Sequence, residues 1–175
     1  MRILALLVAL VTSLPIASAF TSVAGPAPRR DLAADERCGG HTLARHVAKT
    51  NRELSDRLRE QPDISAASTY TDLQTAEAVV GAALARERSR IATWTARSGS
   101  RPNLSLRYKS PGPRPIGRSW QRGKIAPDGC FQAVVVLRWD VSRRAFCVLT
   151  SYPEVARCAC RRRRPAPPPA RRGRG

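Results

Sequence analysis

The hydrophobic period of this chain changes once, around Ser98-Gly99-Ser100. Before that point apolar residues recur at helical spacing. After it they alternate, with Leu104, Leu106 and Tyr108 on one side of a strand and Ser105 and Arg107 on the other. Repeats of 3.6 and of 2 belong to different elements. Helices therefore come first and antiparallel strands second, which is the α+β pattern. The expected fold is a set of N-terminal helices packed on a C-terminal antiparallel β-sheet.

Within the helical half, Gly39-Gly40 leads into a short helix from His41 to Ala48, with Leu43 and Val47 stacked at i, i+4. Thr50-Asn51-Arg52-Glu53 has the pattern of a capping box, so a second helix starts there, buries Leu54 and Leu58, and ends before Pro62. Ser68-Thr69-Tyr70-Thr71-Asp72 reads as a polar hinge, with Thr71 capping a long helix from Asp72 to about Arg97. Ala76, Val79, Val80, Ala83, Leu84, Ile91 and Trp94 form its apolar stripe. In the strand half, Leu104 to Tyr108, Ile116 to Arg118, Phe131 to Trp139 and Ala145 to Tyr152 read as strands. Asp140-Val141-Ser142-Arg143 joins the last two as a hairpin.

The flanks differ in composition. Residues 1–19 have one Arg beside the start Met, an apolar run from Ile3 to Val11, and Ala17-Ser18-Ala19 at the end. That is the form of a secretory signal, with cleavage expected before Phe20. The run is shorter than the roughly 20 apolar residues of a membrane span. No later stretch is long enough either, so no integral membrane association is expected once the signal is removed. Residues 20–37 are polar, contain Pro26 and Pro28, and read as a linker. Residues 38–155 form one domain, and 156–175 form an Arg/Pro-rich tail with eight arginines and no acid, expected to be disordered.

Charge narrows the partners. Thirty-one Lys and Arg against 13 Asp and Glu give +18, and +10 remains on residues 1–155 without the tail. Such a surface attracts polyanions, largely through counterion release. Five cysteines follow the signal, Cys38, Cys130, Cys147, Cys158 and Cys160. Disulfides are permitted, the odd count leaves at least one thiol unpaired, and the connectivity is open. Cys158-Ala159-Cys160 is too tight for a zinc knuckle, and no metal or cofactor is expected.

Chemistry concentrates on the histidines, because only His41 and His46 are present and imidazole titrates near neutrality. RNA cleavage without a metal needs a base for the 2′-hydroxyl, a cation for the phosphate and an acid for the 5′-oxygen. His46 is followed by Lys49 one turn later and by Arg57 on the next helix, so a corner between the helices can bring imidazole and guanidinium to one pocket. In the last strand Thr150 and Tyr152 point to the same face, because side chains alternate.

At these residues the chain resembles the bacterial ribonuclease A-like toxin domain found at the C-termini of contact-dependent inhibition proteins and related polymorphic toxins. The resemblance runs from about Cys38 to Pro153. It passes through GGHTLARHVAKTNRELSDRL, ISAASTYTDLQTAEAVV, PIGRSW and VVVLRWD to the closing VLTSYP. The GGHTL-x-x-HV opening paired with a distant LT-x-YP ending is the specific part. The resemblance implies a small ribonuclease A-like α+β fold without the disulfides of the pancreatic enzyme. It further implies metal-free RNA cleavage to 2′,3′-cyclic phosphate ends, and a cognate immunity protein that blocks the site. Carried over, the site is His46, Arg57, Thr150 and Tyr152, with His41 lining the pocket as a second acid or base. A monomeric secreted toxin acting on tRNA or other RNA in the cytoplasm of a target cell is the expectation.

Three further residues are candidates for substrate binding: Lys49 as an auxiliary cation, and Trp120 with Arg118 as a base-stacking pair. Trp94 and Trp139 fall on apolar stripes and suit the core. The alternative reading is a non-catalytic cationic secreted protein that binds nucleic acid or anionic membranes. That protein would keep its activity without His46 and lose it with salt.

Overall fold

The computed structural model describes residues 27–156. The signal-like segment and all but the first residue of the tail lie outside the described residues. In chain order the elements are α1 (Leu32–Arg37), α2 (Thr42–His46), α3 (Asn51–Glu60), β1 (Ala66–Tyr70), α4 (Leu73–Arg86) and α5 (Arg88–Thr95). Then come β2 (Leu104–Lys109), β3 (Gly117–Gln121), β4 (Asp128–Cys130), β5 (Gln132–Asp140) and β6 (Ala145–Glu154). The fold is α+β, as expected. The sheet is divided in two, β1-β3-β4 and β2-β5-β6, both antiparallel. No helix among the described residues is long and apolar enough to cross a membrane.

The larger sheet carries the main core. Leu106, Ala133, Val135, Leu137 and Val148 face Ala76, Val79, Val80 and Ala83 of α4 and Ile91 and Trp94 of α5. The stripe read as one helix is thus buried as expected, but the helix breaks at Glu87 (φ −96°, ψ 19°) into α4 and α5. Asp72 is the N-cap, not Thr71: its carboxylate accepts from the Thr75 amide at 2.7 Å.

Two further readings are corrected, and one strand was missed. The supposed hinge is mostly strand, since Ser68, Thr69 and Tyr70 belong to β1 and pair with Ser119, Arg118 and Gly117. All three are buried, which a polar hinge would not be. β4 pairs with the other edge of β3 and gave no alternating signal in three residues.

The supposed linker 20–37 is also folded over its described part. Leu32 is fully buried, and Asp35 accepts two bonds from the Arg30 guanidinium, at 2.7 and 2.9 Å, and one from the Val148 amide at 2.9 Å. Arg30 N donates to Glu77 O on α4, where Gly81 lets the Pro28 carbonyl lie against the helix. A disulfide joins Cys38 to Cys147 and closes this segment onto β6, while Cys130 is buried and has no disulfide partner among the described residues.

Tyr70 ties the two sheets together. Its hydroxyl meets Ser151 Oγ of β6 at 2.6 Å, and Ser151 Oγ donates to Val134 O of β5. Across β3 lies a second, smaller apolar cluster, in which Leu54, Leu58 and Ala67 pack with Ile64 and Trp120.

Candidate active site

The corner between α2 and α3 forms as the sequence predicts. The Thr50 hydroxyl accepts from the Glu53 amide at 3.2 Å and the Glu53 carboxylate accepts from the Thr50 amide at 2.7 Å, which completes the capping box. Ala48 turns the chain with φ 52°, a left-handed conformation that costs a non-glycine residue energy. It is held there on both sides: Ala48 N donates to Tyr70 O, and Lys49 N to Thr69 Oγ1. The corner therefore rests on β1.

At the end of α2 the imidazole of His46 is buried, and its Nδ1 lies 3.0 Å from the carbonyl oxygen of Ser68. A carbonyl only accepts, so Nδ1 carries the proton and Nε2 keeps its lone pair. Burial pushes the imidazole down to about 4; the Ser68 bond opposes this, and the charges of Arg57, His41 and Arg45 reinforce it. His46 is thus a neutral base at neutral pH. The ring of Tyr152 stands 5.4 Å away, tilted by 37°.

The opposite wall comes from β6, and a bulge sets its orientation. Val136 pairs with Thr150, yet Leu137 pairs with Val148, so Leu149 is the extra residue. Val148 and Ser151 consequently both face the core, three positions apart, and Thr150 and Tyr152 face away from it. The Leu149 carbonyl accepts from the His41 amide at 3.0 Å, which docks the start of α2 on the bulge. Gly40 permits this approach, because a side chain there would collide with the Val148 carbonyl.

Between these walls is a cleft of about 850 Å³ lined by His41, Arg45, His46, Arg57, Thr150 and Tyr152 at one end, and by residues of β1, β3 and the loop before β1 at the other. Arg57 donates to the Arg45 carbonyl at 3.4 Å and to the Gln61 side chain at 3.3 Å. Burial lowers the pKa of its guanidinium, and within the described residues neither Arg45 nor Arg57 makes an ion pair. The Thr150 hydroxyl is buried with no hydrogen-bond partner among the described residues. His41 is held below its usual pKa, first by burial and then by Arg45. Two guanidiniums without an ion-pair partner among the described residues, a hydroxyl without a hydrogen-bond partner and a base with a free Nε2 have the chemistry to hold an anion next to a proton acceptor.

Five residues singled out in the sequence, His41, His46, Arg57, Thr150 and Tyr152, meet in this cleft. Three do not. Lys49 lines a separate shallow depression and pairs with Glu53 at 3.7 Å. Arg118 and Trp120 lie on the face of β3 turned toward α3. There Arg118 binds Asn51 and the Lys49 carbonyl, and Trp120 packs on Leu54, Leu58 and Ala67. Their strand neighbours Ser119 and Gln121 face the cleft instead. Arg45 was missed although it stands four positions after His41, a spacing that puts the two on one helix face. Ser68, Ser119 and Gln121 had no signal, because β1 was read as a hinge.

Residues 40–153 match the bacterial CdiA-CT RNAse A domain. The chain belongs to that family. A solved structure of similar fold, the CdiA-CT/CdiI complex from Y. kristensenii, is 31% identical with a TM-score of 0.58. That likeness covers 66% of this chain and 99% of the other. No curated protein matches. As a member of the CdiA-CT RNAse A family, the chain is a bacterial ribonuclease toxin domain, and its α+β fold is the one that membership implies. Among the described residues one disulfide is present, from Cys38 just before the matched residues to Cys147 within them.

Proposed function

We propose that this domain cleaves RNA without a metal, by attack of the 2′-hydroxyl on the adjoining phosphate. In this reading His46 Nε2 takes the 2′-hydroxyl proton as O2′ attacks phosphorus, and the bond from phosphorus to O5′ breaks. A proton from His41 goes to the departing O5′, leaving a 2′,3′-cyclic phosphate and a 5′-hydroxyl. Arg57 and Arg45 balance the phosphate charge, and the Thr150 hydroxyl donates to a phosphate oxygen. Tyr152 holds the His46 ring and offers a second hydroxyl. Burial and Arg45 hold His41 below its usual pKa in the free protein, and the phosphodiester monoanion arriving beside it opposes that shift and favours the protonated form that donates to O5′.

The observation that carries the reading is the fixed tautomer of His46 beside two unpaired arginines. A purely cationic binder has no use for a buried imidazole, whose burial costs stability at low pH. The family further supports a cognate immunity protein that covers the cleft, as CdiI accompanies the Y. kristensenii domain. With the signal-like N-terminus, it supports export and action on RNA, tRNA among the candidates, inside a target cell.

The test is incubation of the protein with mixed RNA in EDTA, beside His46→Ala, with product ends analysed for cyclic phosphate. Wild type is expected to cut, and the variant to lose roughly 10²- to 10⁴-fold in kcat/KM. A folded wild type that retains RNA at low salt but leaves it intact would instead establish the cationic binder.

A further inference from the structure

The cleft is longer than a phosphate site requires, and its two ends differ in chemistry. One end has His46, Arg45 and Arg57. The other is floored by β1 and β3, where the cross-strand pairs Ser68 with Ser119 and Ala66 with Gln121 face the cleft. Ser68 and Ser119 are 6% and 3% exposed, and neither their hydroxyls nor the Gln121 amide makes a hydrogen bond among the described residues. These hydroxyl and amide groups reach the cleft without a protein partner, so a ligand that enters can take the place of water on them.

Charge decides what kind of partner that is. The cation at this end, Lys124, is already bound to Asp128 at 2.8 Å, and Asp63 stands on the rim. Among the described residues a second phosphate would meet no free cation here. An uncharged planar group with donors and acceptors on its edge fits instead, and the Ala66 methyl opposite Gln121 leaves it room. The offset fits too. Ser68 holds His46 by its carbonyl, and Ala66 lies two residues further along the strand, roughly 7 Å away.

The floor is also rigid. Trp120 and Ala67 anchor its underside in the cluster with Leu54 and Leu58. The Arg122 guanidinium donates to the carbonyls of Leu58, Gln61 and Ile64, which fixes the loop that borders this end. Preorganised donors and acceptors are what discriminate between ligands of similar shape.

We propose that Gln121 and Ser119, with Ser68 beside them, form the subsite that recognises a nucleobase of the RNA next to the phosphate being cut. The proposal rests on the ribonuclease reading and adds specificity to it. Base edges differ in their order of donors and acceptors, and single-stranded RNA exposes them for this kind of reading.

The experiment is cleavage of a randomised RNA pool, with sequencing of the cut ends, for wild type, Gln121→Ala, Ser119→Ala and Gln121→Glu. Wild type is expected to favour particular bases at one position flanking the cut. Either alanine variant is expected to shrink that preference roughly two- to tenfold. Gln121→Glu replaces a donor by an acceptor and is expected to move the preference toward bases that present an amino group. It keeps the size of the side chain, so it remains informative if an alanine variant fails to fold. Cleavage by wild type with no base preference, or variants whose profiles superimpose on it, would overturn the subsite while leaving the ribonuclease reading intact. A folded wild type that cuts nothing would remove both.

Discussion

The two sheets are built to opposite ends. The β2-β5-β6 sheet has strands of 6, 9 and 10 residues, and its inner face is filled by Leu106, Ala133, Val135, Leu137 and Val148. The β1-β3-β4 sheet has strands of 5, 5 and 3, and supplies Ala67 and Trp120 to the small cluster under α3. Its other face is the polar floor of the cleft. The first sheet therefore carries stability, and the second trades apolar area for open polar groups. The site lies where they meet, with His46 held by a β1 carbonyl and Thr150 and Tyr152 supplied by β6.

If that division is right, the same kind of truncation must cost unequal amounts on the two sides. Leu137→Ala, at a fully buried position of the large core, is expected to lower unfolding free energy by about 2 to 5 kcal/mol. Leu58→Ala, which is 8% exposed in the small cluster, belongs at or below the bottom of that range. Urea denaturation of the two variants compares them directly. Equal losses would mean that the smaller cluster is as much a core as the larger one.

A second comparison concerns how the N-terminal segment is held. The Cys38–Cys147 bridge spans 109 residues and ties that segment to the strand that carries Thr150. Replacing both cysteines by serine is expected to cost about 2 to 4 kcal/mol, seen as a lower urea midpoint. Because Asp35 and the His41 amide still anchor the same segment to β6, the variant should cleave RNA below its melting temperature. Loss of cleavage in a folded variant would place the bridge within the site.

The smallest effect separates the site from the scaffold by pH. His46 lies at about 4 when folded and near 6.5 when unfolded, so between those values the unfolded chain binds the extra proton. Stability must then fall as pH drops from 6.5 toward 4, by up to about 3 kcal/mol from this residue. His46→Ala should remove that part of the slope, and the acid limb of kcat/KM for wild type should centre near the same low value. An acid limb near 6.5 would contradict the burial of the imidazole.

Much of the architecture was legible because it depended on local pattern. The capping box at Thr50, the alternation of Thr150 with Tyr152, the hairpin at Asp140 and the stripe of α4 and α5 are each written in a few neighbouring residues. So was the pairing of His46 with Arg57, once a helix corner was read between them. What local pattern lacked was β1: Ala66-Ala67-Ser68-Thr69-Tyr70 is small and polar, and becomes a strand because β3 lies beside it. Misreading it hid Ser68, Ser119 and Gln121, and left Arg118 and Trp120 without the strand register that turns them toward α3.

By itself, the sequence determined the helices-then-strands order and the basic surface, which follow from residue type and spacing, and it supplied the catalytic candidates through the motifs that carry the family resemblance. Tertiary structure alone decided which faces those residues show. The bulge at Leu149 shifts strand parity and turns Thr150 and Tyr152 from the core to the cleft. The Ser68 carbonyl, far away in the chain, selects the His46 tautomer. Both depend on contacts between segments that composition and period do not encode, because a hydrogen bond across 22 residues leaves no mark on either end's neighbours.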